Sequence, residues 1–249
     1  MEKPLFSIIT VTYNAGETLP PTLKSIEEQT YTGGVEFILM DGGSRDNTVY
    51  LAAQSTIKNK VIVSEKDKGI YDAMNKAQDI ATGEYLIFLN AGDSFHSDDI
   101  LERIASLIAE NHYPGIVYGQ TDIVDEHRRR IGSRHLTAPE VLTYRSFADG
   151  MLVCHQAMAV LKNLTSPYDL RYKFSADFDW AVRCLQHSRN NVMLSGIMID
   201  YLAEGTTTRN HFKSLTERFR IMSHYYGIIP TIARHFKFAL RGIRHKIRL

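Results

Sequence analysis

The chain has 249 residues, of which 44% are hydrophobic and 23% charged, and its net charge is +1 at pH 7. This composition excludes a disordered or fibrous chain, and no run approaches the roughly 20 apolar residues that span a bilayer. The first apolar run lacks a basic leader and a cleavage site, so we expect a cytoplasmic protein.

The N-terminal part alternates predicted strands and helices. Residues 6–13 are rich in Ile, Val and Thr and predict a strand, after which Leu19, Leu23 and Ile26 recur at helical spacing. Strands that alternate with helices predict an α/β protein with a parallel sheet flanked by helices. Further strands are predicted at 35–41, 61–63 and 85–90, and further helices after Asp46 and over 69–81.

Helix 69–81 is predicted to pack through Ile70, Met74, Ala77 and Ile80 or Ala81. The next helix has an acidic cap at 97–99 and a buried stripe at Leu101, Ile104 and Ile108.

After Tyr118 the regular pattern weakens. Arg128-Arg129-Arg130 favours a solvated turn over a polyanion site. Cys154 and Cys184 have no metal-type spacing, which predicts buried thiols in a reducing compartment.

Two of the predicted strands end in an acidic group. Asp41 follows the apolar run 35–40, and Asp93 follows the run 85–89. Open α/β sheets bind ligands at the carboxyl ends of their strands, so both carboxylates are expected at one edge of the sheet. Asp41 at the position that would bind the nucleobase, together with Asp93 at the position that would bind the metal and the diphosphate, suggests a nucleotide-diphosphate site.

Several sequence blocks, taken in order and spacing, resemble glycosyltransferase family 2. The resemblance implies a GT-A fold, which is Rossmann-like, an activated nucleotide-sugar donor, and transfer with inversion at the anomeric carbon. It is strong over residues 5–95 and looser to about 210. The blocks are 7–14, 41–48, 68–77 and 88–93, followed by His155-Gln156, 175–180 and Glu204-Gly205-Thr206-Thr207.

The resemblance assigns Asp41 to the nucleobase. A carboxylate only accepts hydrogen bonds, so it suits the imide N–H of uracil or thymine, and the alternative is a cap for the turn after it. Tyr13 would stack on the base, although a surface aromatic can also serve packing alone. The donor-binding residues implied are Thr12, Tyr13, Asn14, Asp41, Gly43, Ser44, Lys68, Asp72, Asn75, Asn90 and Asp93.

Asp93 is the expected ligand for Mg²⁺ or Mn²⁺, which would neutralise the departing diphosphate. Asn90 and Gly92 stand where the family usually has further acids, so one full charge remains, and a turn cap is the alternative for Asp93. Many family members have an arginine at the position of Met74. Any positive charge near the diphosphate is therefore expected from a lysine, the candidates being Lys66, Lys68 and Lys76.

Asp177 is the expected catalytic base, because it aligns with the acidic dipeptide of the family, whose first position is Ala176 here. Asp179 is a rival two residues on, and a helix-terminal acid stabilised by the macrodipole is the alternative for Asp177. The helix would pack through Trp180 and Leu185. His155 and Gln156 are expected near the acceptor.

The hypothesis is therefore a metal-assisted inverting glycosyltransferase of the hexosyltransferase type, acting in cell-surface polysaccharide biosynthesis. The donor is expected to be a UDP-sugar, the acceptor a glycan or lipid-linked oligosaccharide, and no nucleic-acid partner is expected. One alternative is an inactive nucleotide-sugar-binding domain, supported by Asn90 and Gly92. A nucleotidyltransferase is disfavoured, because Asn14-Ala15-Gly16-Glu17 is not a basic glycine-rich phosphate loop.

The predicted GT-A domain covers 1–210, and 211–249 forms a C-terminal helical extension. Residues 230–249 hold six Lys or Arg and no acid. Since the net charge of the whole chain is +1, residues 1–229 have a net charge of −5. The segment predicts a basic amphipathic helix, which would either lie on an anionic membrane at the inner face of the plasma membrane or pack on the acidic body. Its apolar stripe is Ile232, Phe236, Leu240, Ile243 and Ile247.

Overall fold

The computed structural model describes residues 3–203 and 211–246, without the side chains of 211–212 and 239–246. The block Glu204-Gly205-Thr206-Thr207 and the side chains of Leu240, Ile243 and Ile247 lie outside the described residues.

The described strands and helices follow the predicted order in the first half of the chain. The strands are β1 (Phe6–Thr12), β2 (Val35–Asp41), β3 (Lys60–Ser64), β4 (Tyr85–Phe88), β5 (Ser94–Phe95), β6 (Ile116–Val124), β7 (Arg130–Ser133), β8 (Met158–Leu161) and β9 (Asn191–Leu202). The helices are α1 (Leu19–Glu27), α2 (Thr48–Gln54), α3 (Ile70–Ile80), α4 (Ile100–Glu110), α5 (Ala176–His187), α6 (His211–Tyr226) and α7 (Ile228–Lys246).

The described strands form one sheet in the order β3-β2-β1-β4-β8-β6-β9-β5, with β7 paired to β6. The half formed by β3, β2, β1 and β4 is parallel, as predicted. In register, Thr12 lies beside Asp41, and Ile9 beside Phe88. The carboxyl ends of β1, β2 and β4 therefore meet at one edge. The predicted α/β fold of GT-A type, with helices flanking the sheet, is confirmed.

The other half of the sheet is mixed, which the alternating pattern did not predict. β8 runs antiparallel to both β4 and β6, whereas β6 and β9 are parallel. The hydrophobic pattern weakens after Tyr118, and yet β6 continues to Val124. Its residues at 119–124 include Gly, Gln, Thr and Asp. Pairing with β9 from Gln120 onward, and with β7 from Asp122 onward, holds them in the strand without a hydrophobic period.

The predicted buried face of α3 needs a correction. Ile70 and Ile80 are 47% and 42% exposed, whereas Ala73, Met74, Ala77 and Gln78 are buried against the sheet. Small alanines let the helix approach β1 and β2 closely. The stripes predicted for α1, α4 and α5 are buried as expected.

Cys154 and Cys184 are free, buried thiols, and burial raises the pKa of Cys184. Within the described ranges, the helices are all too short or too polar to cross a membrane.

The two C-terminal helices differ in how they pack. α6 contributes Ile221 and Met222 to the hydrophobic core, and the buried hydroxyl of its Ser214 is hydrogen-bonded to the hydroxyl of Ser175. α7 buries Thr231. The domain boundary at 210 remains a prediction.

Candidate active site

Asp41 is fully buried at the end of β2. Its Oδ1 accepts hydrogen bonds from the hydroxyls of Thr12 (3.0 Å) and Ser44. Its Oδ2 accepts from the backbone N–H of Gly43 (3.1 Å) and Ser44 (2.8 Å) and from the Ser64 hydroxyl (2.6 Å). A carboxylate has about four acceptor sites. The protein itself therefore saturates Asp41, and a contact with uracil, which remains a prediction, requires one of these donors to move.

The pKa of Asp41 reflects this saturation. Burial alone would raise the pKa, but the hydrogen bonds, led by that of the Ser44 hydroxyl, hold it below its usual range. Asp41 is thus an anion that fixes the ends of β1, β2 and β3.

The loop after β1 is held by Ser44, which also donates to Asp41. The Asn14 N–H donates to the Ser44 hydroxyl (2.7 Å), and the Arg45 N–H donates to the Asn14 side-chain oxygen (2.9 Å). Asn14 has a left-handed backbone with φ of 49°. Tyr13 is left 65% exposed, which suits a stacking platform for a base.

Asp67 was missed by the sequence interpretation. A Cβ added to Gly42 would meet the Asp67 carboxylate at 2.4 Å and the Tyr13 ring at 3.4 Å, so Asp67 and Tyr13 flank the same glycine. The Oδ1 of Asp67 accepts a hydrogen bond from the Gly69 N–H (2.7 Å). Its position directly before the Lys68-Gly69 block was the available signal. Lys68 itself is exposed.

Asp72 and Asn75 have internal partners. The Asp72 carboxylate accepts from the Lys68 N–H (2.9 Å) and so caps the start of α3. Asn75 donates to the Tyr168 carbonyl (3.0 Å) and accepts from the Tyr168 N–H (2.6 Å). These bonds tie α3 to the segment before α5. Donor contacts by Asp72 and Asn75 remain predictions.

Asp93 is only 4% exposed and has few partners. Its Oδ1 accepts from the Leu202 N–H (3.0 Å) and its Oδ2 from the Gln156 amide (3.0 Å). Burial raises the pKa of Asp93 to about 6, against the opposing effect of these bonds and of the charges of His155 and Arg128. Asp93 is therefore a buried carboxylate whose charge is poorly compensated.

The neighbours of Asp93 explain part of the reduced acidic block. Gly92 has φ of 98°, and a Cβ there would meet the Leu202 side chain at 2.7 Å, so an acid cannot fit without movement. The side-chain oxygen of Asn90 is buried with no hydrogen-bond partner in the described part of the chain.

These residues fit a divalent cation that arrives with the donor. Among the described residues, no group of three or more His, Cys, Asp or Glu could hold a metal ion. Mg²⁺ and Mn²⁺ are commonly held by one or two carboxylates and the substrate phosphates. The Asp93 carboxylate, with the unpartnered Asn90 oxygen beside it in sequence, meets that minimal requirement.

The arginine run 128–130 makes three different contacts. Arg129 pairs with Asp125 (2.8 Å) and Arg130 pairs with Asp122 (2.5 Å). Arg128 instead donates to the Gly92 carbonyl (2.6 Å) and to the Ser94 hydroxyl, on the loop that carries Asp93. The solvated-turn expectation therefore suits Arg129 but not Arg128.

Asp177 lies in the first turn of α5 and is the more open of the two acids there. Its Oδ1 accepts from the Tyr71 hydroxyl (3.2 Å), and its Oδ2 lies 3.6 Å from Nδ1 of His155. Burial alone would raise the pKa of Asp177, but His155 and the charge of Arg218 hold it below its usual range. Asp177 is thus ionised and partly accessible, as a general base requires.

Asp179 faces a different set of groups. Its carboxylate is only 6% exposed, accepts from Arg183 (2.8 Å) and also accepts from the Tyr225 hydroxyl (2.9 Å) of α6. One oxygen is engaged by Arg183 within α5, and the other joins α5 to Tyr225 of α6. The geometry therefore favours Asp177 over Asp179 as the available acid.

A short 3₁₀ turn, His155–Ala157, connects the two acidic centres. Gln156 donates to Asp93, while the adjacent His155 faces Asp177. The buried Nε2 of His155 has no partner among the described atoms. Tyr201, which the sequence interpretation missed, interacts electrostatically with both acids, and burial raises its pKa. The turn thus contacts both Asp93 and Asp177 through adjacent residues.

The model of the glycosyl transferase family 2 matches residues 7–163. The chain belongs to glycosyltransferase family 2. The matched range contains Asp41, Asp93 and His155, whereas Asp177 lies beyond it. The chain is therefore a glycosyltransferase, as the resemblance predicted.

The curated relatives of the chain include glycosyltransferases. A PGL/p-HBAD biosynthesis glycosyltransferase of Mycobacterium bovis (strain BCG / Pasteur 1173P2) is 38% identical over 193 residues, covering 75% of this chain and 72% of that protein. The UDP-Glc:alpha-D-GlcNAc-diphosphoundecaprenol beta-1,3-glucosyltransferase WfgD of Escherichia coli is 23% identical over 228 residues, covering 90% and 88%.

Solved structures share the GT-A fold. S. aureus TarS 1–349 in complex with UDP-GlcNAc superposes with a TM-score of 0.70 at 18% identity, covering 94% of this chain and 73% of that one. The mannosyltransferase PcManGT of Pyrobaculum calidifontis, in complex with GDP-Man and Mn²⁺, has a TM-score of 0.62 at 16% identity, covering 96% and 76%. At these identities the likeness establishes the fold alone.

Proposed function

We propose that this family 2 glycosyltransferase moves a sugar, with inversion, from a UDP-sugar to a glycan or lipid-linked oligosaccharide acceptor in cell-surface polysaccharide biosynthesis. The observation that carries the proposal is the pairing of a donor-side acid, Asp93, with an accessible acceptor-side acid, Asp177. The named activity of WfgD, which uses a UDP-sugar and a lipid-linked acceptor, supports the substrate classes.

Asp177 acts as the general base in this proposal. Its carboxylate removes the proton of the attacking acceptor hydroxyl while the sugar–phosphate bond breaks on the opposite face of the sugar. The lowered pKa keeps Asp177 ionised at neutral pH, and the Tyr71 hydroxyl holds one oxygen in position. The leaving group is the nucleoside diphosphate.

The donor is held at the ends of β1, β2 and β4. Tyr13 stacks on the base, and Asp41 fixes the loop of Gly43 and Ser44 beneath it. Asp93 would hold Mg²⁺ or Mn²⁺, which supplies Lewis-acid stabilisation of the diphosphate when bound.

A thermal-shift panel tests the donor class. UDP, GDP and several nucleotide-sugars are compared with and without Mn²⁺, because a ligand that binds the folded state raises the melting temperature by mass action. We expect UDP and UDP-sugars with Mn²⁺ to give the largest shifts. A larger shift with GDP, or none with UDP, would contradict the proposed donor.

An inactive binding domain is the second candidate, and the loss of acids at 90 and 92 favours it. Both hypotheses predict nucleotide binding, but only an enzyme hydrolyses or transfers the sugar. Slow release of UDP from a bound UDP-sugar without acceptor, abolished in Asp177→Asn, would identify the enzyme. Tight binding with no release in the wild-type chain would favour the binding domain.

We further propose that α7 rests on the inner face of an anionic membrane, where a lipid-linked acceptor would be presented. Four apolar side chains at its start are exposed: Ile228 (62%), Ile229 (82%), Ile232 (55%) and Phe236 (68%). The segment that follows adds Lys and Arg without an acid. Repulsion between two such basic helices disfavours a second copy of the chain as the partner, whereas anionic lipid attracts each nearby cation by about 1 kcal/mol.

Vesicle flotation tests this membrane contact. Ile229→Glu combined with Phe236→Glu is compared with Ile131→Glu combined with Val141→Glu, which places the same charge at exposed apolar residues elsewhere. We expect the wild type and the control to float with phosphatidylglycerol vesicles but not with phosphatidylcholine, and the α7 variant to remain unbound. Equal flotation of both variants would exclude α7 as the contact.

A further inference from the structure

The diphosphate of the proposed donor carries negative charge, and the lysines expected to balance it lie on or just before α3, where Lys68 is exposed. Met74 is fully buried, and Lys76 pairs with Glu65 at 2.7 Å. Lys66 lies beside Gly43, on the base side of the site. The cation next to the Asp93 loop is Arg128, which comes from a hairpin more than thirty residues away in the sequence.

The hairpin between β6 and β7 is built to present Arg128. Asp125 closes the turn, because its carbonyl accepts from the Arg128 N–H (3.0 Å) and its N–H donates to the Arg129 carbonyl (3.0 Å). The Asp125 carboxylate also accepts from the Arg129 N–H (2.9 Å) and pairs with the Arg129 side chain. Arg128 itself has φ of 63°, a left-handed conformation that is uncommon for a residue other than glycine.

The guanidinium of Arg128 lies against the loop that carries Asp93. It donates to the carbonyl of Gly92 and the hydroxyl of Ser94, the two residues that flank Asp93. These partners are neutral, whereas Arg129 and Arg130 are each bonded to a carboxylate. A guanidinium offers five donors in a planar fork, so exchanging a carbonyl and a hydroxyl for two phosphate oxygens gains charge-assisted hydrogen bonds.

We infer that Arg128 binds the diphosphate of the donor, and this inference rests on the proposed function. Arg128 then supplies, from the β6–β7 hairpin, the positive charge that the missing arginine at position 74 would provide from α3. It shares with the cation on Asp93 the neutralisation of the diphosphate as the sugar departs. The contact selects a diphosphate over a monophosphate.

Calorimetric titration with UDP and UMP in the presence of Mn²⁺ tests the inference. Arg128→Met is compared with Arg129→Met, which removes the same charge from the next residue. We expect UDP affinity to fall by about 10- to 100-fold in Arg128→Met, the range for a lost hydrogen bond to a charged group. UMP affinity should change by less than about threefold, and so should both affinities in Arg129→Met, because that variant keeps the backbone bonds between Asp125 and Arg129 that close the hairpin.

A merely structural role gives a different pattern. If Arg128 only fastens the Asp93 loop, Arg128→Met lowers UDP and UMP affinity equally and lowers the melting temperature, which overturns the inference. Arg128→Lys keeps the charge without the fork and should recover part of the UDP affinity if Arg128→Met folds poorly. Equal UDP affinity in all variants also overturns the inference, whereas a wild-type chain that binds no UDP contradicts the proposed function itself.

Discussion

The loops after β2 and β4 place two buried carboxylates in opposite states. Asp41 accepts hydrogen bonds from three hydroxyls and two backbone N–H groups, and its pKa is lowered. Asp93 accepts from one backbone N–H and one amide, and its pKa is raised to about 6. Both side chains are hidden from solvent, but Asp93 is embedded more deeply and has fewer donors, so Asp41 is a compensated anion and Asp93 an uncompensated one. The second kind is available to an incoming ligand.

The same contrast recurs on α5. Asp179 is held by Arg183 and Tyr225, while Asp177 accepts one tyrosine hydroxyl and faces His155 at a longer distance. In both pairs the acid with fewer fixed partners lies in the proposed reaction path.

The largest expected effect separates Asp177 from Asp179. Asp177→Asn should lower turnover by a factor on the order of 10²–10⁴ with UDP affinity nearly intact, because the amide keeps the shape but cannot take the proton. Asp179→Asn should lower the melting temperature instead, since it removes the buried ion pair with Arg183. Turnover and UDP titration of both variants measure this. Loss of turnover only in the folded Asp179 variant would make Asp179 the base.

Asp93→Asn should weaken donor binding and yet stabilise the protein. The amide is a poor cation ligand, so the dependence of UDP binding on Mn²⁺ should disappear. The raised pKa means that Asp93 costs about 3 kcal/mol of folding free energy above pH 6 and nothing below pH 4. Denaturant unfolding in EDTA at pH 7.5 should show Asp93→Asn to be more stable than the wild type, with the gain vanishing at pH 4. A less stable variant at pH 7.5 would contradict the assigned state of Asp93.

Asp41→Ala, unlike Asp93→Asn, should destabilise the protein. Removing the acceptor leaves five donors unpaired, which we expect to cost about 2–4 kcal/mol in unfolding free energy and to loosen the nucleotide loop. Urea unfolding and UDP titration measure the two effects. Lower UDP affinity at unchanged stability would instead indicate that Asp41 contacts the base directly and contributes little to the fold.

The smallest effect is a split pH dependence. Protonated Asp93 cannot hold a cation, so kcat/KM, which reports the free enzyme, should fall about tenfold per pH unit below pH 6. Asp177 has a lowered pKa, so kcat at saturating donor should persist to lower pH. Initial rates between pH 4.5 and 8 measure both. Coincident acid limbs would mean that one group controls both parameters.

The sequence predicted what local pattern encodes. Apolar runs such as 85–89, each followed by an acid, allowed the parallel half of the sheet to be predicted, because both features can be recognised within a few residues. The mixed half depends on pairing between strands that are distant in the chain, such as β6 and β9. The hydrophobic pattern of a single segment does not indicate which strand it will pair with.

Contacts across the fold account for the residues that the sequence did not identify. Tyr71 and Asp177 are 106 positions apart, and Arg128 reaches Gly92 across 36. Within its own run, Arg128 could not be distinguished from Arg129 and Arg130 until their partners were known. Likewise, Asn75 matched the family block, but its amide is bonded to Tyr168 in the folded chain.

We propose that the edge formed by Asp41, Asp93 and Tyr13 is a uridine-diphosphate site completed by a divalent cation. Calorimetric titration of the wild-type chain with UDP, with and without Mn²⁺, measures this binding. We expect UDP to bind in the presence of Mn²⁺, to bind more weakly in EDTA, and to be preferred over GDP. The proposed site is wrong if UDP does not bind, or if it binds equally with and without Mn²⁺.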